Sequence, residues 1–258
     1  MERPRIKDMH TPVRLDEKTI RIGSAHFGVA AEIEDDDTST VWSLLALLDG
    51  TRTTSEIVEE ALRRDPRLDA DSVRDGIATL VEDGFIEDAG ARPPSALTAA
   101  ERERYDRSAD FYAWVDSKPR PSRWEVQRRL KQARVTVLGL GGIGSAVAAS
   151  LAASGIGALH CVDFDVLEAS NLNRQLLYRE GDLGGSKVER AIEQLRHLNS
   201  FVEVSGEELR IGTGDDLVPL LADCDLFILC ADRPEPRQIL TWTSDAAVKT
   251  KTPWITSF

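Results

Sequence analysis

The sequence predicts an α/β protein, with a doubly wound, mostly parallel sheet preceded by a small winged helix-turn-helix domain of α+β type. Three observations carry this. The run VTVLGL, from Val135, is a continuous apolar strand leading into a glycine-rich turn and a helix of small residues, the opening of a parallel sheet covered on both faces. The first 95 residues instead mix short strand-like runs with three helical stretches. Between the two lies a polar stretch with prolines at Pro119 and Pro121. The expected organisation is a small domain over residues 1–95, a linker over 96–122 and a doubly wound domain over 123–258.

Residues 13–37 alternate short apolar runs with breakers, which suggests two or three small strands. Residues 38–50, TSTVWSLLALLDG, place apolar side chains at helical spacing and close on Asp-Gly. The next helix starts at TTSEIVEEAL with a capping-box pattern, Thr53 to Glu56. A third helix is expected with Asp71 as N-cap and Gly84 as stop, then a short strand over residues 85–87.

Winged helices often bind DNA, but the charge rejects that reading. Of the formal net charge of -12, residues 1–95 hold 12 Lys and Arg against 21 Asp and Glu, a local excess of -9. Phosphate affinity comes largely from Lys and Arg, and the third helix has Asp69, Asp71, Asp75, Glu82 and Asp83 against a single Arg74. Overall, 41% apolar and 29% charged residues are ordinary for a soluble globular chain of 258 residues. No apolar run approaches the roughly 18 residues of a membrane span, and the N-terminus is not of signal-peptide type, so a cytoplasmic protein is expected. Cys161, Cys224 and Cys230 form no CxxC pair and read as small buried hydrophobes. His10, His26, His160 and His197 are scattered, none at metal-ligand spacing from a cysteine, so no structural zinc is expected.

Residues 4–90, with EIEDDD, VWSLLALLDGTRTTSEIV and LVEDGFIED, resemble the PqqD-like precursor-recognition domains of enzymes that mature ribosomally made peptides. The resemblance implies a leader peptide added as a strand to the edge of the small sheet, against the third helix.

After VTVLGL, Gly139, Gly141 and Gly144 fit GxGxxG, letting backbone amides and a helix N-terminus approach phosphates. The next strand, ALHCVDFD, places Asp163 24 residues after Gly139, suited to a ribose hydroxyl. To this point a dehydrogenase and an ATP enzyme read alike. Beyond it stand Asn171 and Arg174 in SNLNRQ, and Lys187 comes 13 residues after the arginine, where Ser186 caps a helix with Glu189 three residues on. Two fixed cations beside a phosphate loop suit a triphosphate. A later strand, CDLFILCAD, ends in Asp232, a carboxylate placed to hold Mg2+.

GLGGIGS, VDFD, SNLNRQ, the lysine after GGS and the CAD strand end are similar to the ThiF/MoeB/HesA family, relatives of ubiquitin-activating enzymes, over residues 104–258. The resemblance implies adenylation of a carboxylate, often a peptide or protein C-terminus, with release of pyrophosphate. It implies Gly142 and its loop facing the phosphates and Asp163 the ribose, with Asn171, Arg174 and Lys187 on the triphosphate and Asp232 on magnesium. RYDR, residues 104–107, resembles the RYxRQ segment before the family's fold, which implies that Arg107 reaches the triphosphate of a partner subunit in a homodimer.

The pattern departs in two places. Arg233 and Pro234 follow Asp232, where the family has Asn. The sequence also closes at TPWITSF, so the resemblance implies that further sheet, a crossover segment and, in many members, a zinc-binding CxxC pair come from outside these residues. No cysteine is placed to form a thioester.

The expected function is ATP-dependent adenylation of a peptide or small-protein carboxylate in peptide maturation. Its partners would be a precursor leader peptide and a separate modifying enzyme such as a cyclodehydratase. Two alternatives stay open: a scaffold that delivers the leader peptide without chemistry, and an NAD-dependent oxidoreductase on the same glycine loop.

Overall fold

The structure is a computed structural model that describes residues 1–24, 28–36 and 38–257. His26, the final aspartate of EIEDDD (Asp37) and Phe258 lie outside the described residues. The chain divides into two compact units, Met1–Arg128 and Arg129–Phe258.

In the first unit, strands β1 (Pro4–Ile6), β2 (Val13–Arg14), β3 (Thr19–Ser24) and β4 (Val29–Glu34) precede helices α1 (Thr40–Leu45), α2 (Thr54–Arg64) and α3 (Ala70–Glu82), then β5 (Ile86–Asp88). β2, β3 and β4 form an antiparallel sheet in that order, while β1 pairs with β5. Ile20 and Ile22 of β3 are fully buried and pack with Leu45, Ile57, Ile77 and Phe85. This apolar stripe holds sheet and helices together, because each helix is amphipathic and must bury one face.

Local signals fix most of the helix ends. Thr53 and Glu56 form the expected capping box, with Thr53 N donating to Glu56 Oε2 at 2.7 Å. The cap of α3 is Asp69 rather than Asp71. Asp69 has extended backbone and accepts from Asp71 N at 3.0 Å and Ser72 N at 2.9 Å, while Asp71 already lies inside the helix. Asp69→Ala is therefore expected to lower the unfolding midpoint, and Asp71→Ala to lower it less. Equal shifts in a thermal melt would contradict this assignment.

Residues 96–122, expected as a connection, instead contain a 17-residue helix, α4 (Ala99–Val115). Thr98 and Glu101 form a second capping box, and Leu97, Tyr105, Ala109 and Trp124 make a small core of their own. Four apolar anchors among charged neighbours leave a weak periodicity, which is why composition alone reads as linker.

The second unit follows α5 (Glu125–Gln132). Its strands are β6 (Arg134–Leu138), β7 (Ala158–Asp163), β8 (Glu203–Glu208), β9 (Leu226–Leu229) and β10 (Trp254–Thr256), all parallel, in the order β10-β9-β6-β7-β8. Helices α6 (Gly142–Ala153) and α7 (Lys187–Leu198) cover one face, over Val137, Leu159, Cys161 and Val204. Helices α8 (Leu217–Ala222) and α9 (Pro236–Thr250) cover the other, over Leu138, Val162, Phe227 and Leu229. The strand order reverses between β6 and β9, so the connections above those two strands leave in opposite directions and open a crevice at their C-terminal ends.

β9 is shorter than the sequence run suggests, so Cys230 to Asp232 form the turn beyond it. Of the three cysteines only Cys161 is fully buried, its thiol pushed up to about 12 by burial. Cys224 and Cys230 are half-buried. Among the described residues, no helix is long and apolar enough to cross a membrane.

Candidate functional site

The crevice begins with the turn after β6. Gly139 has φ +92, a left-handed conformation that favours glycine, and a Cβ there would lie 2.7 Å from the Cys230 carbonyl and from Ala231 N. Gly141 is the N-cap of α6, and Gly142 its first residue. Gly144 sits beneath the turn, where a Cβ would meet the Gly139 carbonyl oxygen at 1.8 Å. The helix start is thus pressed onto the strand end, with its unpaired amides at the crevice.

Asp163 closes β7 and is 7% exposed. Its Oδ2 accepts from Leu140 N at 2.6 Å, and its Oδ1 accepts from Phe164 N at 2.7 Å and Asp165 N at 2.9 Å. The carboxylate therefore ties the glycine turn to the end of the neighbouring strand. Tyr178 supports the same turn, donating its hydroxyl to the Leu140 carbonyl at 3.1 Å, and burial raises its pKa.

The connection from β7 to α7 brings in the cations. Asn171, 8% exposed, accepts from Glu168 N at 3.1 Å and so fixes a short 3-10 turn. Arg174 donates to the Ser170 carbonyl and to Asn173 Oδ1, both at 3.0 Å, with its methylenes against Gly142. Lys187 is the first residue of α7, capped by Ser186 as expected; its Nζ lies 3.0 Å from Asp165 Oδ2, and its N–H donates to the Asp165 carbonyl at 3.1 Å.

These elements enclose a cavity of about 740 Å³. Gly139, Gly141, Gly142, Asp163, Asn171, Arg174, Lys187 and Asp232 all line it. Gly144 does not; it packs under the turn. Arg107 lies on the exposed side of α4 in the first unit.

Three lining features escaped the sequence reading. Gln175, 2% exposed, has its Oε1 without a partner, a buried acceptor beside the glycine turn. Its signal was adjacency to Arg174. Asp165, the partner of Lys187, had one too, the second acid of VDFD. The third is a wall made by Phe164 and Arg210, whose guanidinium stacks 3.8 Å from the ring centroid. Arg210 follows β8 with no motif around it, so nothing in the sequence marks it.

Magnesium has a fitting donor here. Asp232 lines the cavity beside the glycine turn, and Mg2+ characteristically takes one or two protein carboxylates, completing its shell with water and phosphate oxygens. A triphosphate also fits, since glycine amides, Arg174 and Lys187 share one hollow.

The ThiF family matches residues 105–258. MoeZ of Mycobacterium tuberculosis, a probable adenylyltransferase/sulfurtransferase, is 35% identical over 164 residues, which is 63% of this chain and 38% of that protein. Uba4 of Emericella nidulans, an adenylyltransferase and sulfurtransferase, is 38% identical over 122 residues, 47% of this chain and 24% of that one. The chain thus spans less than half the length of these relatives. Among solved structures, Escherichia coli MccB is similar at a TM-score of 0.78 and 25% identity, over 99% of this chain and 66% of that one. MccB has also been solved with ATP, at a TM-score of 0.75, 25% identity and coverage of 100% and 70%. PaaA is similar at 0.71 and 28% identity, over 97% and 72%.

Proposed function

The chain belongs to the ThiF family, and from that premise we propose that it is an adenylyltransferase activating a peptide or small-protein carboxylate with Mg-ATP. One observation carries the reading: the glycine turn, Asn171, Arg174, Lys187 and Asp232 line a single cavity at the reversal of strand order. Bound there, ATP supplies the α-phosphorus that a carboxylate oxygen attacks, giving an acyl-adenylate and pyrophosphate. The turn amides and the N-terminus of α6 hold phosphate oxygens, and Asp163 meets the ribose. Arg174 and Lys187 offset the charge that grows on the departing pyrophosphate, Asn171 fixes their segment, and Asp232 holds the metal. Family membership does not favour the nicotinamide reading.

The first unit serves as a winged-helix, PqqD-like domain for a precursor leader peptide in ribosomal peptide maturation. Two facts support this. Among the described residues β4 pairs only with β3, leaving an open sheet edge for strand addition. The similar MccB is a microcin C7 biosynthetic enzyme solved in complex with N-formylated MccA. The remaining assignments are a homodimer in which Arg107 reaches the partner's triphosphate, a cytoplasmic location and a separate modifying enzyme downstream.

Thermal unfolding tests the core of the reading. Mg-ATP at 100 times its dissociation constant is expected to add about 2.7 kcal/mol to the parent, with NAD adding nothing. Arg174→Ala should lose most of the ATP effect. An NAD shift, or an ATP shift that survives in the variant, would sink the assignment.

A further inference from the structure

The charged side chains that line the cavity are mostly engaged. Asp163 is held by three backbone N–H groups, and Asp165 pairs with Lys187. Arg174 donates to a carbonyl and an amide oxygen, and Arg210 stacks on Phe164. Among the described residues, Asp232 and Arg233 are the charged lining groups left with no ion pair, hydrogen bond or ring contact. They are consecutive, in the turn just past β9, and both are exposed. Arg174 instead lies in the connection from β7 to α7 and Lys187 opens α7, and β6 with its glycine turn lies between the two groups. The cavity therefore has two charged sides. One has cations already oriented by neighbours; the other has a free acid beside a free guanidinium.

We infer that Arg233 holds the acceptor carboxylate, the anion that must be brought against the α-phosphorus; this rests on the adenylation reading above. A carboxylate entering a hollow filled by a triphosphate meets like charge, and Asp232 without a cation adds to it. Arg233 presents a planar fork matching both oxygens of a carboxylate, and as a permanent cation it is not neutralised by any partner among the described residues. Asp232 then serves the metal and Arg233 the substrate. In the step itself one carboxylate oxygen forms the new bond to the α-phosphorus. The bond from that phosphorus to the bridging oxygen breaks, and its electron pair leaves with pyrophosphate; no proton moves and no redox partner is needed.

The test is ATP–pyrophosphate exchange by the full chain with a pool of random-sequence octapeptides bearing free C-termini. The parent, Arg233→Asn and Arg233→Lys are compared, with melting curves confirming that all three fold. The expected result is an apparent KM for the pool raised at least tenfold in Arg233→Asn, partly restored by lysine, with the KM for ATP changed less than twofold. An amidated pool supports no exchange. An unchanged peptide KM overturns the inference alone, as does an ATP KM that rises in step, which would give Arg233 to the nucleotide. A parent that exchanges with neither pool overturns the adenylation reading and this inference with it.

Discussion

Lys187→Ala is expected to lower carboxylate-dependent ATP–pyrophosphate exchange about 10²- to 10³-fold while leaving the protein folded, the scale seen when one preorganised electrostatic contact is removed. The ammonium is the best-fixed cation in the cavity. Its position as first residue of α7 sets the backbone, the Asp165 carbonyl takes its N–H, and the Asp165 carboxylate takes the charge. Fold and chemistry separate here because Asp165 is half exposed. Losing its partner leaves a carboxylate that water can solvate, not a stranded buried charge. Exchange kinetics alongside a urea melt check both halves. More than a tenth of parental kcat would remove Lys187 from the transition state, and a collapsed melt would make it structural.

The second large effect is on stability. Gly144→Ala is expected to destabilise the second unit by about 3 kcal/mol or more, because the added Cβ would fall 1.8 Å from the Gly139 carbonyl oxygen, a backbone atom with nowhere to go. Gly142→Ala is the control. Its nearest neighbours are Arg174 methylenes at 3.4 Å or more, an ordinary contact, so folding should be close to parental. What it should lose is nucleotide affinity, since a methyl then stands where phosphates approach the helix start. Urea midpoints and Mg-ATP binding on the two variants should move in opposite columns. Comparable midpoints would show the turn to be looser than its geometry.

How much of this was legible depends on whether a signal is local. The β6 strand, glycine turn, α6, the strand end at Asp163 and the Ser186 cap each rest on a few adjacent residues whose local pattern specifies the element, and each forms where expected. Asn171, Arg174 and Lys187, close in sequence, line the same cavity. α4 was missed because its anchors, Tyr105 and Ala109, are buried by partners before and after them in sequence. The Phe164–Arg210 wall was missed for a stronger reason: it joins the end of one strand to the end of another, and nothing within either segment requires the other. Asp69 and Asp71 differ as caps only through backbone angles that propensity does not resolve.

The reversal of strand order between β6 and β9 has a last consequence. The hollow lies where the path of the backbone parts, and the side chains that line it complete its walls and supply its charge. Charge can therefore be edited without touching architecture. A chain carrying neutral residues at 187 and 232 should remain a shapely but silent container, its open β4 edge undisturbed. On the proposed function, such a decoy would compete for the leader peptide and release it without activating its carboxylate.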